Sequence, residues 1–231
     1  MESPKRTARI AGFLYLLLGV LSFFGMPPYF IRPGDIARTA NHIMASESLF
    51  RLSILSAVLA GIVNIFVVIA LYRLLKPVNK NMALLMVIFI LLAVPIGMLN
   101  ELNRITALLL LRSAGYSAVF TADQLQALVS LFLNLHLYGI IIAGFFWGLW
   151  LFPMGYLVFK SGYIPRILGI ILMIGCFGYL INSSATLLLP DYKVNIVIFV
   201  GWGEVIFPLW LLIKGVNVER WQKRTLESVS K

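Results

Sequence analysis

The chain has 231 residues, of which 61% are hydrophobic and 12% charged, and its mean hydropathy is +0.94. A water-soluble domain carries about 45–50% apolar and about 25% charged residues, so this composition excludes one and indicates an all-α, polytopic membrane bundle. The net charge of +10 is read as basic residues flanking membrane spans beside anionic lipid, not as a nucleic-acid footprint.

Six spans are predicted from runs approaching or exceeding the roughly 20 apolar residues a bilayer requires. The first covers Ile10 to Pro27, after Lys5, Arg6 and Arg9. It begins like a signal peptide but ends in "FFGMPPYF", without a small-x-small cleavage site, and is read as an uncleaved span. The segment "RPGDIARTANHIMASESLF" follows and can form a short amphipathic helix. The second span runs from Leu52 to Leu75. The third runs from Met82 to Leu99, with apolar character resuming to Leu111. The fourth covers Leu137 to Phe159, the fifth Ile164 to Leu189 and the sixth Val194 to Ile213. Pro165 suits the first turn of the fifth helix, where its missing N–H costs nothing. Residues 1–215 form one domain, and 216–231 a short basic tail, most simply a solvated or lipid-surface end.

Basic residues set the expected orientation. Thirteen, including Lys5, Arg6, Arg9, Lys76, Lys80, Lys160 and Lys214, fall at one set of span ends, and six at the other. The richer side is expected to be cytoplasmic, with both termini on the cytoplasmic side of the plasma membrane. Helical periodicity passes the membrane boundary on the other side. Met82 to Arg112 would be ~46 Å long and Asp123 to Lys160 ~57 Å, against a hydrocarbon core of about 30 Å. These extensions and the amphipathic loop are expected to form an outer cap. "RIAG" and "RILG" open the first and fifth spans, an echo too short to establish the repeat that many transporters contain.

Four stretches carry a resemblance: "KRTARIAGFLYLLLG", "ESLFRLSILS", "FWGLWLFPMGYLVFKSGYIPRILG" and "GEVIFPLWLLIKG". In order and spacing they resemble a prokaryotic family catalogued as domain of unknown function 4386. The resemblance covers nearly the whole chain. It implies a multi-pass membrane protein of similar length, and it carries no activity or catalytic residues.

Polar residues within the spans are the candidate site. Asn100, Glu101, Asn103 and Arg104 interrupt an apolar run about 20 residues above Met82, near the outer interface. Glu101 and Arg104 are three apart and can pair along one helix. Glu47 and Arg51 reach the same depth in the second span, Asn134 and His136 in the fourth, and Asn182, Ser183 and Ser184 in the fifth. This layer can line an outward-facing pocket, or it can staple helix ends together. Gln126, Ser130 and Asn134 make a polar stripe, whereas His136 falls with Val129, Phe132 and Leu133. Glu204 lies near the middle of the sixth span, where an acidic group costs roughly 2.5–3.5 kcal/mol. It shares a face with Gly201 and Pro208. Trp147, Trp150 and Trp202 are expected to pack around it, and Gly144 and Gly148 to admit a neighbouring helix closely.

No hydrolase, zincin or phosphate-loop motif appears, and the lone Cys176 excludes an intramolecular disulfide or cysteine metal cluster. No cofactor or metal is expected. The expected function is non-enzymatic: binding of a ligand, lipid or protein partner through the outer pocket and cap, with the bilayer as constant partner. Two alternatives stand beside it. One is a small proton- or ion-coupled transporter using Glu204. The other is an intramembrane hydrolase using Glu204 or His136.

Overall fold

The computed structural model describes residues 3–26, 35–189 and 195–229. Among these the chain is helical: α1 (Pro4–Gly25), α2 (Ile36–Ala45), α3 (Glu47–Leu75), α4 (Lys80–Arg112), α5 (Ala114–Ser117), α6 (Ala122–Ser161), α7 (Arg166–Leu188), α8 (Val197–Val200), α9 (Gly203–Ile213) and α10 (Val218–Val229). Helices α1, α3, α4, α6 and α7 are each long and apolar enough to cross a membrane, and α8–α9 with α10 make a bent sixth candidate. Pro27 and Val194, expected as span limits, lie outside the described residues.

Local chemistry starts and stops these helices. The Asn79 side chain accepts the Met82 N–H at 3.0 Å and caps α4. Thr121 and Gln124 close a reciprocal capping box on α6. Gly162, at φ 74°, ends α6 in the left-handed conformation that favours glycine. Helix α7 starts at Arg166 with Pro165 as its cap, one position before the predicted first turn. Its N–H is missing where no intrahelical partner exists anyway.

The spans are apolar on both their buried and their exposed faces. On α4, Ala83, Met86 and Ile90 are buried, while Leu84, Ile88, Leu91 and Leu92 are exposed. Such all-round apolar helices belong in lipid. At 33 and 40 residues, α4 and α6 extend ~50 and ~60 Å and outreach a ~30 Å hydrocarbon core. One core cluster, including Leu71, Trp150, Met154 and Phe207, fills the bundle. A second joins Ile43 of α2 and Phe50 of α3 to Leu108 of α4 and Val129 and Leu133 of α6. The amphipathic segment thus packs against the extensions of α4 and α6.

The C-terminal tail is more ordered than its charge suggested. Helix α10 turns 102° from the α8–α9 axis after Gly215, at φ 70°. Trp221 Nε1 donates to the Leu74 carbonyl at 3.0 Å, and Arg220 donates to the Gly162 carbonyl at 3.1 Å. The Tyr163 hydroxyl reaches the same Leu74 carbonyl at 2.8 Å. Burial pushes its phenol pKa up, so the hydroxyl remains a donor. Leu74 and Gly162 lie at or beside helix C-termini, whose carbonyls lack intrahelical partners. Tail and turn supply the missing donors.

Candidate functional site

Among the described residues, two polar clusters lie inside the bundle. The larger is built on α4. Arg104 is 0% exposed and donates through Nε to Glu101 Oε2 at 2.6 Å, while its Nη2 contacts the same carboxylate. Its Nη1 donates to the Gly25 carbonyl and to Ser53 Oγ, both at 3.1 Å. The guanidinium also sits 6.0 Å from the centre of the Phe50 ring. Gly25 is the last residue of α1, so Arg104 satisfies an orphaned helix-end carbonyl as well as the carboxylate.

His136 extends the cluster to α6. Its Nε2 lies 3.2 Å from Glu101 Oε1, and Asn100 Nδ2 donates to the His136 carbonyl at 2.8 Å. Asn103 donates to Asn100 Oδ1 at 3.0 Å. A Cβ on Gly139 would stand 2.0 Å from Asn100 Oδ1, so only glycine lets this asparagine lie against α6. Side chains and backbone from α1, α3, α4 and α6 meet here around one ion pair. The His136 ring is buried at 1% exposure, and its Nδ1 has no hydrogen-bond partner among the described residues.

The second cluster surrounds Glu204. The Tyr15 hydroxyl of α1 donates to Glu204 Oε2 at 2.9 Å, and Tyr179 of α7 interacts with the same carboxyl group. Tyr15 packs against Trp150 at 5.5 Å and edge-on against Phe207 at 6.5 Å. Glu204 thus faces the bundle, between α1 and α7.

The other predicted site residues do not join either cluster. Glu47 accepts from Arg51 at 2.7 Å and from Arg112 at 3.1 Å, an exposed triad at the start of α3. Asn134 is exposed and donates to Ser130 at 3.4 Å, within the polar stripe. Asn182 accepts the Ile196 N–H at 3.2 Å and ties α7 to the start of α8. Equal depth on separate helices did not bring these side chains together, because each residue turns the helix by about 100° and depth leaves that rotation open. Trp202, expected around Glu204, is 61% exposed, whereas Trp150 is buried. Gly144 and Gly148 do admit a neighbour: added Cβ atoms would meet Ser183 Oγ at 2.8 Å and Tyr179 Cβ at 2.7 Å on α7.

Sequence reasoning missed Ser53, Gly139, Tyr15 and Tyr179. Ser53 and Tyr15 carried a visible signal as polar groups inside apolar runs. No group of three or more His, Cys, Asp or Glu side chains among the described residues could hold a metal ion.

Long helices apolar on all sides, pinned by buried polar clusters, define a multi-pass helical membrane protein. The chain belongs to the family described as Domain of unknown function (DUF4386), whose profile matches residues 10–215. It is 36% identical over 164 residues to a protein of Archaeoglobus fulgidus described as "Uncharacterized protein", covering 71% of this chain and 83% of the relative. No solved structure matches the chain.

Proposed function

We propose that the protein is a non-enzymatic membrane receptor or scaffold. It binds a small polar ligand, a lipid or a partner protein at the end built by α2 and the extensions of α4 and α6. The observation that carries this reading is the buried Nδ1 of His136, which has no hydrogen-bond partner among the described residues. An unpaired buried polar atom costs about 1–3 kcal/mol, and a donor from a ligand or ordered water would remove that cost. The Glu101–Arg104 pair supports the reading by holding four elements rigidly around the histidine, since preorganised groups bind without an ordering penalty. The basic-rich ends, with Lys5, Arg6, Arg9, Lys76, Lys80 and Lys160, face the cytoplasm in this proposal, and the binding end faces outward from the cytoplasmic membrane. Whole-cell labelling of cysteines placed at Gly115 and in α10 tests that orientation; labelling at α10 from outside would reverse it.

Binding is tested by native mass spectrometry of the full chain released from its host membrane. The wild type is expected to carry a molecule that His136→Phe loses and Trp221→Phe keeps. Identical adducts on all three proteins would overturn the proposal.

A second reading rests on Glu204. No basic side chain among the described residues forms an ion pair with it, and its contacts are tyrosine hydroxyls. A carboxyl group held by hydroxyls within a bundle can release a proton and take it up again, as a proton-coupled transporter requires. Loss of substrate-driven proton uptake in vesicles by Glu204→Gln, with folding intact, would favour that reading over binding alone.

A further inference from the structure

A groove of about 470 Å³ opens at the far end of the molecule, between the start of α1 and the end of α9. Lys5, Arg6 and Arg9 form its rim, and Ile10, Phe13 and Leu212 lie along its walls. We propose that it holds one anionic phospholipid, with the phosphate among the three cations and an acyl chain along the apolar walls.

The arrangement matches an amphiphile read from head to tail. Arg6, Arg9, Ile10 and Phe13 follow at helical spacing and make one stripe, charged at its start and apolar beyond. Arg6 to Phe13 spans about 10 Å of helix, a short step from headgroup into hydrocarbon. Ile10 is 41% and Phe13 57% exposed, so the apolar part of the stripe is uncovered by protein. The three basic side chains are exposed and form no ion pair with any described residue. A nucleic acid would satisfy these cations but leave Ile10 and Phe13 bare. An acidic protein could not follow the stripe into the bilayer.

The two helices that flank the groove are held in close contact. An added Cβ on Gly12 would meet Leu212 N and the Pro208 carbonyl at 2.6 Å, so α1 and α9 touch backbone to backbone beneath it. Lys5 packs at the other edge, its Cγ 3.0 Å from where a Cβ on Gly215 would stand.

Each basic side chain near an anionic headgroup contributes about a fivefold gain in binding. The test is native mass spectrometry of the full chain in micelles doped with phosphatidylglycerol or phosphatidylcholine. The wild type is expected to retain one phosphatidylglycerol in preference to phosphatidylcholine. Lys5→Gln/Arg6→Gln/Arg9→Gln should lower that retention on the order of 100-fold. Lys223→Gln/Arg224→Gln, which removes two charges on α10, should leave it unchanged. Arg9→Gln alone should lower it about fivefold and serves if the triple variant does not fold. Excess inorganic phosphate should not displace the lipid; displacement would mean the site reads a phosphate ion only and would overturn the proposal. Retention by a folded triple variant, or equal loss in the α10 control, would overturn it too.

Discussion

Replacing Arg104 by alanine removes the centre of the larger polar cluster. The guanidinium is fully buried and serves Glu101, the Gly25 carbonyl and Ser53. Interhelical hydrogen bonds in membranes are worth about 0.6 kcal/mol each, so the Gly25 and Ser53 contacts together supply only about 1 kcal/mol. The larger effect is electrostatic. Arg104→Ala leaves the Glu101 carboxylate buried without its cation, and breaking a buried pair from one side costs about 3–5 kcal/mol. Removing both charges is a different perturbation. Glu101→Gln/Arg104→Met keeps volume and leaves no stranded charge, and its loss should stay below ~2 kcal/mol. Reversible unfolding in mixed micelles, titrated with denaturing detergent, measures the wild type, Arg104→Ala, the double variant and its two component singles, Glu101→Gln and Arg104→Met. A loss under ~1 kcal/mol for Arg104→Ala, or a double variant as unstable as the sum of the singles, would refute the reasoning.

Three further outcomes follow from the packing. Gly139→Ala forces Asn100 away from α6 and should cost about 1–3 kcal/mol in the same unfolding assay; Asn100→Ala added to it should recover part of the loss. Glu204→Gln preserves an acceptor for Tyr15 and should change stability by less than ~1 kcal/mol, whereas Glu204→Val strands the buried hydroxyl and should cost about 1–3 kcal/mol. Trp221→Ala removes the bond from α10 to the Leu74 carbonyl and should speed tryptic cleavage within α10 by about fivefold or more while the bundle stays intact.

The spans were legible because lipid demands apolar residues on every face, so run length alone located α1, α3, α4, α6 and α7. The extensions of α4 and α6 were legible for a different reason, the helical periodicity that continues past the length a bilayer needs. The Glu101–Arg104 pair could be read from its three-residue spacing, since both partners share one helix. His136 was legible only as a buried histidine, because its approach to Glu101 depends on how α6 rotates against α4. Rotation also took Arg51 and Asn134 to exposed positions at the expected depth. Tyr15 is 189 positions from Glu204, and only the topology joins them. The tail was legible only as a solvated or lipid-surface end; Trp221 amid its charges was the sign that one face reaches the bundle, at the Leu74 carbonyl.

The proposed binding end can be tested most directly by an experimental density map of the full chain in nanodiscs of host lipid, clear enough to show side chains. The account expects Glu101 and Arg104 in contact, and a non-protein molecule or ordered water at His136 Nδ1. A map in which that nitrogen meets only protein, with no density against α2 or the extensions of α4 and α6, would contradict it.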